Sequence, residues 1–394
     1  MSTLCVEFHE DSQWLGGSIY IDNLLAALSV LPPDQRPAVR LAFLSSSKTA
    51  LAKRLLAHSA VVQKQSGAAY SDLVARLRRL HRAFSRRWPW VGRFSRTRGD
   101  EVYFPVFDVS QRWRRNLYWI PDFQPLHFPT LFDSRELGLR TKSMADIAGS
   151  TGLLLLSSNA AMNDFRSFFP EATVVPRVWS FCSSLEPALH DRHLEVLQRY
   201  GLPQKFIYVA NHFWKHKDHE TAFKALKLLS DRGDGVFFVC TGLQADRRNP
   251  GHFESLMQAL ATWGIQDRVR FLGVVPREDQ LELFRVAAAV VQPSRFEGWS
   301  TVIEDAKALG RPMIVSDIAV HVEQVEGLQC ARLFKTSDAE DLASAISDLW
   351  PTLTPGPHLD LEQEAVKRRN SVRIEAAHKF VAIVEEAAAF SRTV

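Results

Sequence analysis

The stretch that decides the fold is Ala289–Asp317, which reads AVVQPSRFEGWSTVIEDAKALGRPMIVSD. It opens with the apolar run Ala289–Gln292, which has the length and composition of a strand buried on both faces. A helix-length segment follows, and Gly310 and Pro312 predict its end, because glycine favours the position after a helix and proline cannot continue one. A second apolar run, Met313–Ser316, comes directly afterwards. The stretch therefore predicts a strand, a helix and a second strand parallel to the first.

The same alternation extends through both halves of the chain. The further predicted strands are Leu4–Phe8, Val39–Leu44, Val102–Phe104, Tyr118–Ile120, Leu153–Ser157, Phe206–Val209, Val236–Cys240 and Val269–Leu272, and the clearest helices are Tyr20–Leu28, Thr221–Leu229, His252–Trp263, Gln280–Ala287 and Glu362–Phe390. Two such halves, joined around residues 183–199, predict an α/β protein with two doubly wound domains. Because ligands bind outside the carboxyl ends of parallel strands, we expect the functional site in a cleft between the domains.

Composition excludes several classes of protein. With 394 residues, of which 46% are hydrophobic and 23% charged, the chain is globular rather than disordered. No apolar run approaches the ~18–20 residues that span a bilayer, and the acidic N-terminus lacks the cationic start of a secretory signal. Four scattered cysteines fit neither a disulfide framework nor a zinc site, so we expect a cytoplasmic protein. The net charge of +4 identifies no partner.

One segment has a distinct composition. Residues 76–98 contain nine arginines and no acid, and Trp88 and Trp90 are among the interleaved aromatic residues. A basic, tryptophan-bearing amphipathic segment suits an anionic membrane surface. We therefore expect peripheral membrane binding through Arg76–Phe94. The alternative is a solvated basic helix whose aromatic residues pack on their own domain. Nucleic acid is not an expected partner, because the chain shows no recognised nucleic-acid module.

The helix after Gly298 predicts an anion site. Its first amides, at Ser300–Val302, point toward the carboxyl ends of the strands and suit a phosphate or pyrophosphate. Glu297 precedes the helix, and Glu304 or Asp305 lies one turn inside it. Carboxylates repel the anion itself but accept hydrogen bonds from hydroxyls attached to it, as on a sugar or ribose. The alternative is a capped helix with incidental acids.

A cationic turn follows the first strand of the second half. Residues 208–219 read YVANHFWKHKDH, and Lys215, His216 and Lys217 lie together in this stretch. Their charge can neutralise a diphosphate. The alternative is a solvated loop.

These segments resemble the signature of retaining glycosyltransferase family 4, which has the GT-B fold. Members carry a Glu, seven residues, a second Glu, a helix of small residues and then Gly-x-Pro. Glu297 and Asp305 occupy the two acidic positions, and Gly310 and Pro312 follow in register. The resemblance implies that Glu297 holds hydroxyls of the donor sugar and that the second acid holds the ribose. Asp305 departs from the usual Glu, and Glu304 beside it is the alternative.

The cationic turn resembles a branch of the family that makes bacterial surface polysaccharides, including O-antigen, capsule and exopolysaccharide. That branch has a similar Asn-x-Phe-Trp-x-His-Lys turn. Elsewhere in the family an Arg and a Lys six residues apart grip the phosphates. Lys217 matches the lysine, whereas Asn211 stands at the arginine position.

The first half shows a looser resemblance. Residues 119–129, WIPDFQPLHFP, resemble a strand end where the family presents a histidine to the donor sugar. Pro125 stands at that position, and His127 is the nearest substitute. The alternative is a loop histidine packed among phenylalanines. Asp122 and Gln124 can orient the acceptor. Residues 14–18, WLGGS, match the glycine loop of GT-B enzymes, where paired glycines allow a close approach to a ligand.

The site predicted from this resemblance can be stated in full. The catalytic residues are Glu297, Lys217 and His127. The donor-binding residues are Gly16, Gly17, Asn211, Lys215, Lys217, Gly242, Val274, Gly298, Trp299, Ser300, Thr301, Glu304 and Asp305. No metal or other cofactor is expected, because the two lysines and the helix amides can stabilise the leaving diphosphate.

The resemblance also implies the domain bounds and the reaction. We expect an N-terminal acceptor-side Rossmann-like domain at 1–184, a nucleotide-sugar-binding domain at 185–374, and a terminal helix, 375–394, that returns to the first domain. The reaction is transfer of a hexose such as mannose or rhamnose from a nucleotide-diphosphate sugar, with retention. The resemblance implies a glycan acceptor, and we expect it to be carried on a polyprenyl diphosphate at the inner face of the cell membrane.

Two other readings remain open. A GT-B epimerase or phosphorylase shares the architecture, although no lysine stands out as a Schiff-base former. The second alternative is a catalytically inactive scaffold or glycan-binding partner of an assembly complex. The departures from the family pattern at Pro125, Asn211 and Asp305 motivate it.

Overall fold

The chain forms two compact units. The computed structural model describes residues 2–8, 15–43, 50–62, 101–110, 114–185 and 192–390. The first unit comprises residues 1–129, 134–184 and 371–394, and the second comprises 130–133 and 185–370. The basic segment Arg76–Phe94 lies outside the described residues. Among the helices that are described, none is both long and apolar enough to cross a membrane.

A six-stranded parallel sheet forms the centre of the first unit. Its strands are β1 (Thr3–Phe8), β2 (Ala38–Phe43), β3 (Glu101–Val106), β4 (Arg115–Trp119), β5 (Leu153–Leu156) and β6 (Val175–Val178). They lie in the order β2-β1-β3-β4-β5-β6. The helices are α1 (Leu15–Ser29), α2 (Ala50–Ala57), α3 (Gln124–His127), α4 (Ser134–Ala148) and α5 (Asn159–Phe168).

A second six-stranded parallel sheet forms the centre of the second unit. Its strands are β7 (Ile207–Ala210), β8 (Phe238–Thr241), β9 (Val269–Phe271), β10 (Ala289–Gln292), β11 (Met313–Ser316) and β12 (Ala331–Phe334). They lie in the order β12-β11-β10-β7-β8-β9. This is the doubly wound order of a Rossmann sheet, and its direction of winding reverses between β7 and β10.

Helices flank the second sheet. They are α6 (His193–Tyr200), α7 (His219–Asp231), α8 (His252–Trp263), α9 (Arg277–Val286), α10 (Thr301–Ala308), α11 (Ala319–Val325) and α12 (Ala339–Leu349). The last helix, α13 (Leu359–Ala389), begins in this unit, and its residues from 371 onward belong to the first unit. The two parallel sheets and their helices confirm the predicted α/β class.

Burial on both faces explains why apolar runs form the strands of the second sheet. Ile207 and Val209 of β7 pack in one core cluster, whereas Tyr208 and Ala210 pack in a second cluster. Successive strand residues point to opposite faces, so the two clusters cover the two sides of the sheet. A strand with both faces buried has to be apolar throughout, which is the pattern read from the sequence.

The end of α13 packs within the first unit. The Trp179 indole Nε1 donates a hydrogen bond of 2.8 Å to the carbonyl oxygen of Ala376. The ring of Phe380 meets the ring of Trp179 edge-on at 5.2 Å between centroids, and it contacts Phe104 of β3 at 5.8 Å. These three aromatic side chains are fully buried. The contacts fix the terminal helix against the first sheet.

Part of the predicted junction around residues 183–199 is helical. Helix α6 begins at His193, and its residues Val196 and Leu197 are buried in the core of the second unit. Gly201 ends the helix in the left-handed conformation, with φ of 58°. The charged residues of this segment interrupt the apolar pattern, so the sequence did not indicate a helix here.

Candidate active site

The candidate site lies at the carboxyl ends of β7 and β10. These strands are neighbours, although about eighty residues separate them in the sequence. The winding of the sheet reverses between them, and in open parallel sheets this reversal leaves a crevice for a ligand. The loop after β7 carries Asn211 and Lys217, and the loop after β10 carries Glu297. The fold therefore brings the two predicted motifs of this unit together.

An ion pair joins two of the predicted catalytic residues. The Lys217 Nζ lies 2.5 Å from the Glu297 Oε1, and the side chains are 15% and 11% exposed. A charge-assisted hydrogen bond between two largely buried groups is stronger than a surface pair. Solvent still reaches both side chains, so a ligand can reach them too. The fold thus joins Lys217 and Glu297, predicted from separate motifs, in one ion pair.

A short 3₁₀ turn, Lys215–Lys217, presents the lysine. Asp218 follows in the left-handed conformation with φ of 54°, and its Oδ2 accepts hydrogen bonds of 2.9 Å from the hydroxyls of Thr221 and Ser337. The turn begins with a bond of 3.0 Å from the Lys215 amide to Asp246 Oδ2. Side-chain carboxylates therefore fix the turn at both ends.

The histidines around this turn are neutral at pH 7. Burial lowers the pKa of His216 well below its usual range, and the nearby Lys217 lowers it further. Burial also lowers the pKa of His219 to about 3, and its ring stacks on Phe213 at 4.1 Å. The pKa of His212 is lowered by burial, and its Nδ1 accepts a hydrogen bond of 2.8 Å from the Leu243 amide. The positive charge of the turn therefore comes from its lysines.

A buried amide network lies beneath the ion pair. Gln292, the last residue of β10, is fully buried. Its Oε1 accepts a hydrogen bond of 2.6 Å from Asn211 Nδ2. Its Nε2 donates to Glu297 Oε1 at 2.9 Å, to Ser300 Oγ at 3.1 Å and to Ser294 Oγ at 3.2 Å. Asn211, predicted as a donor-binding residue, is itself buried in this network.

The N-terminus of α10 differs in one respect from the prediction. Ser300 caps the helix, and its hydroxyl accepts from the Ile303 amide at 3.4 Å. The amide of Ser300, predicted to be free, instead donates to Gln324 Oε1 at 2.9 Å, and Gln324 Nε2 returns a bond of 3.1 Å to the Ser300 carbonyl. The amides of Thr301 and Val302 are then the ones at the helix N-terminus that an anion can use.

The two acids inside α10 are buried and bound to cations. Glu304 Oε1 accepts from Lys307 Nζ at 2.9 Å and from Gln324 Nε2 at 3.0 Å. Asp305 forms a two-pronged pair with Arg277, in which both nitrogen–oxygen distances are 2.7 Å. A ribose hydroxyl at either acid would have to share the carboxylate with its cation.

Two loops complete the edge of this sheet. Gly242 follows β8 with φ of 131°, and a Cβ at this position would lie 2.2 Å from the Asn211 carbonyl oxygen. Only glycine therefore fits here. The Gly242 amide donates to the Gly273 carbonyl at 2.8 Å. Val274, the next residue, is 65% exposed. Gly298 and Trp299 are half-buried in the loop before α10, and the ring centroid of Trp299 is 6.0 Å from Lys307 Nζ.

The predicted residues of the first unit lie at the carboxyl edge of its own sheet. Asp122 follows β4, and its Oδ1 accepts from the Gln124 amide at 3.0 Å. His127 ends α3, where its Nε2 lies 2.9 Å from Asp164 Oδ2. Gln124 is buried. Gly16 and Gly17 fall in the first turn of α1, after β1.

Sequence reasoning missed four residues that hold these groups: Gln292, Gln324, Arg277 and Asp164. The sequence does contain one usable signal, because Gln292 is a polar residue at the end of an otherwise apolar strand. The sequence gives no such signal for the other three, since each contacts a site residue at least 20 positions away along the chain.

Comparisons with known proteins agree with this architecture. Residues 194–350 match the family described as glycosyl transferases group 1. Mannosylfructose-phosphate synthase of Agrobacterium fabrum is 24% identical over 31% of this chain and 27% of its own length. The N,N'-diacetylbacillosaminyl-diphospho-undecaprenol alpha-1,3-N-acetylgalactosaminyltransferase of Campylobacter jejuni is 28% identical over 36% of this chain and 34% of its own. The chain thus spans about a third of the length of these two relatives.

Solved structures match over nearly the whole chain. The Anabaena protein HepE, in complex with UDP and glucose, has a TM-score of 0.65 at 16% identity, covering 98% of both chains. WaaG, a glycosyltransferase involved in lipopolysaccharide biosynthesis, has a TM-score of 0.58 at 12% identity, covering 99% of this chain and 100% of its own. These matches confirm the predicted fold. The chain therefore has the GT-B glycosyltransferase fold, and its residues 194–350 are similar to the glycosyl transferases group 1 family.

Proposed function

We propose that the protein is a retaining glycosyltransferase of family 4. It transfers a hexose, such as mannose or rhamnose, from a nucleotide-diphosphate sugar to a glycan acceptor in surface polysaccharide biosynthesis. The observation that carries this proposal is the Lys217–Glu297 pair, 2.5 Å long, at the point where the winding of the second sheet reverses. A cation for the diphosphate and a carboxylate for the sugar stand side by side there.

Stabilising the leaving diphosphate is the largest chemical demand of this reaction. Lys217 supplies a positive charge, and Lys215 adds a second in the same turn. The amides of Thr301 and Val302 add the partial positive charge of a helix N-terminus. The ion pair with Glu297 holds Lys217 and helix α10 holds the amides before the donor binds, so these groups need no reorganisation during the reaction. The proposal therefore includes no metal ion.

Glu297 is proposed to hold the donor sugar. Its bonds to Lys217 and Gln292 both end at Oε1, so among the described contacts Oε2 is the oxygen left to accept from a sugar hydroxyl. Retention with attack from the face of the leaving group lets the departing phosphate take the acceptor proton. A protein base is then not required, and His127 would contact the sugar rather than remove a proton.

The proposed acceptor is a glycan on a polyprenyl diphosphate. The name of the Campylobacter relative specifies a diphospho-undecaprenol acceptor, which supports this class. Asp122 and Gln124 of the first unit are the proposed acceptor-side residues. The proposed location is the cytoplasmic face of the cell membrane, with Arg76–Phe94 as the contact to anionic lipid. That contact is inferred from composition alone.

A donor screen tests the proposal. Thermal unfolding is measured with GDP, UDP and dTDP, because a ligand at 100 times its dissociation constant stabilises the folded protein by about 2.7 kcal/mol. Hydrolysis of the matching nucleotide sugars is then measured with wild type and Glu297→Gln. We expect one nucleotide to stabilise the protein, and slow hydrolysis that the variant loses. Binding without hydrolysis or transfer would instead favour an inactive glycan-binding scaffold.

Flotation with liposomes tests the membrane contact. Wild type should float with anionic liposomes at low salt and less at high salt, since screening shortens the range of the attraction to about 10 Å at 0.1 M. Replacing Arg78, Arg79, Arg82 and Arg86 with Gln should abolish flotation and leave transfer to a soluble acceptor nearly unchanged. Failure of wild type to float at low salt would overturn this contact.

A further inference from the structure

We propose that Gln292 is a positioning residue for Glu297, and that it sets the carboxylate and the N-terminus of α10 in a fixed relation. This inference rests on the proposed function, in which Glu297 holds the donor sugar. Gln292 is fully buried, so it acts through Glu297 rather than on a substrate.

The orientation of the Gln292 amide is determined by its neighbours. Its oxygen receives the hydrogen bond of 2.6 Å from Asn211 Nδ2, and its nitrogen faces Glu297 Oε1 at 2.9 Å. If the amide were turned over, its oxygen would face a carboxylate and its nitrogen would face another amide nitrogen. Both contacts would be repulsive, because carboxylates only accept and amide nitrogens only donate. The charge of Glu297 thus fixes the amide, and the amide in turn fixes Glu297.

Two donors hold the same oxygen of Glu297. Lys217 binds Oε1 at 2.5 Å from the turn after β7, and Gln292 binds it at 2.9 Å from the end of β10. Hydrogen bonds to an ionised group are roughly twice as strong as neutral ones. With Oε1 held from two strands, the direction of Oε2 is fixed as well. A sugar hydroxyl then meets a carboxylate that does not have to reorient.

The same amide also reaches the helix that faces the diphosphate. Gln292 Nε2 lies 3.1 Å from the Oγ of Ser300, which caps α10. A shift of Gln292 would therefore move the carboxylate for the sugar and the amides for the phosphate together. Because a misplacement of about 1 Å can cost about 100-fold in rate, we expect loss of this amide to lower kcat more than it raises KM.

A purely structural role is the competing explanation, in which Gln292 only satisfies buried polar atoms. Two variants separate the roles. Gln292→Met keeps the volume and removes every hydrogen bond. Gln292→Glu places a second carboxyl group about 3 Å from Glu297, and two carboxyl groups at that distance share a proton, so one pKa of the pair is raised. The protonated form donates to Glu297 as glutamine does, whereas the ionised form repels it.

The experiment measures kcat and the donor KM from pH 6 to 8.5 for wild type and both variants. We expect the kcat of Gln292→Glu, relative to wild type, to rise at least tenfold as pH falls, with KM changing less than threefold. Gln292→Met should stay at least tenfold below wild type at every pH. Ser347→Asp is the control, because it also places a carboxyl group beside an existing carboxylate, Asp234, whose Oδ2 accepts a hydrogen bond of 2.9 Å from the Ser347 hydroxyl, and α12 carries none of the predicted site residues. Its kcat ratio should vary less than threefold with pH.

Equal kcat ratios at all pH values for Gln292→Glu and Gln292→Met would overturn the proposal. More than half of the wild-type kcat in Gln292→Met at any pH, or in Gln292→Glu at pH 8.5, would also overturn it. Urea unfolding gives a readout that needs no substrate. The introduced carboxyl has a raised pKa in the folded state, so Gln292→Glu should lose stability relative to wild type as pH rises above about 4.3, the unfolded value. If wild type transfers no sugar from any donor, the proposed function fails, and a pH-independent stability difference would separately overturn the pairing of Gln292 with Glu297.

Discussion

Removing the charge of Glu297 should affect nucleotide binding and sugar transfer in opposite directions. In the ion pair, the Glu297 carboxylate neutralises Lys217 at 2.5 Å before any ligand arrives. A phosphate oxygen that also binds Lys217 would lie about 5 Å from this carboxylate, and two like charges at that distance repel by about 1–3 kcal/mol at the effective dielectric constant of a protein site. Glu297→Gln removes this repulsion and keeps the shape of the side chain.

We therefore expect Glu297→Gln to bind a nucleoside diphosphate about 5- to 150-fold more tightly than wild type, which corresponds to 1–3 kcal/mol. Transfer should nevertheless fall by about 100-fold or more, because the neutral amide is a weaker acceptor for the donor sugar hydroxyl. Isothermal titration with the nucleotide found in the donor screen measures the first effect. A transfer assay at saturating donor measures the second.

Glu304→Gln is the matched control for this experiment. Glu304 is also bound to a lysine, Lys307, at 2.9 Å, but it has no contact with Lys217. Its effect on diphosphate affinity should be the smaller of the two. The reasoning is refuted if Glu297→Gln binds the diphosphate tenfold more weakly than wild type, because the carboxylate would then assist the anion. It is also refuted if the variant keeps more than half of the wild-type transfer rate.

Three further predictions concern folding. In a urea titration, Gly242→Ala should lower the unfolding free energy by at least about 2 kcal/mol, since a backbone carbonyl lies 2.2 Å from the new Cβ. Gly273 has φ of 66° and no atom within 4 Å of a new Cβ, so Gly273→Ala should lower the unfolding free energy by about half as much. Arg277→Leu should lower the unfolding free energy by about 3 kcal/mol, because it leaves the buried Asp305 without its guanidinium partner. Replacing both Arg277 and Asp305 with leucine should recover part of this loss. Burial lowers the pKa of His219 in the folded state to about 3. The stability that depends on its neutral form is therefore complete above about pH 6.5, the unfolded pKa, and is lost as pH falls toward 3. His219→Phe should for this reason unfold less readily in acid than wild type.

All the central strands of the two described sheets could be predicted from the sequence, whereas two of the four edge strands could not. The bounds of Ala289–Gln292 and Met313–Ser316 agree with the prediction, because both strands are buried on both faces and so are apolar up to their last residue. Val175–Val178 and Ala331–Phe334 were missed. They lie at the outer edges of their sheets, where side chains remain partly exposed and no continuous apolar run is needed.

The candidate site shows a similar division. The presence of Lys217 and Glu297 at strand ends followed from local order along the chain, because parallel strands align their carboxyl ends at one edge. The pairing of Arg277 with Asp305 did not follow, because the two residues lie on different helices, α9 and α10, and only the folded sheet brings these helices together. The sequence near Ser300 also gave no sign that its amide would donate a hydrogen bond to Gln324 in the next helix.

The position of the site explains why polar residues occur in an apolar part of the sheet. β7 and β10 are adjacent only because the crossovers leave them in opposite directions, and the crevice between those crossovers is where Asn211 and Gln292 meet. Buried amides contribute little net stability even when all their hydrogen bonds are formed. Apolar side chains would fill the same space without polar atoms that need a partner. The presence of the amides is accounted for by what they hold, since the amide of Gln292 contacts both Glu297 and Ser300. The geometry of the site thus depends on the pairing of these two strands.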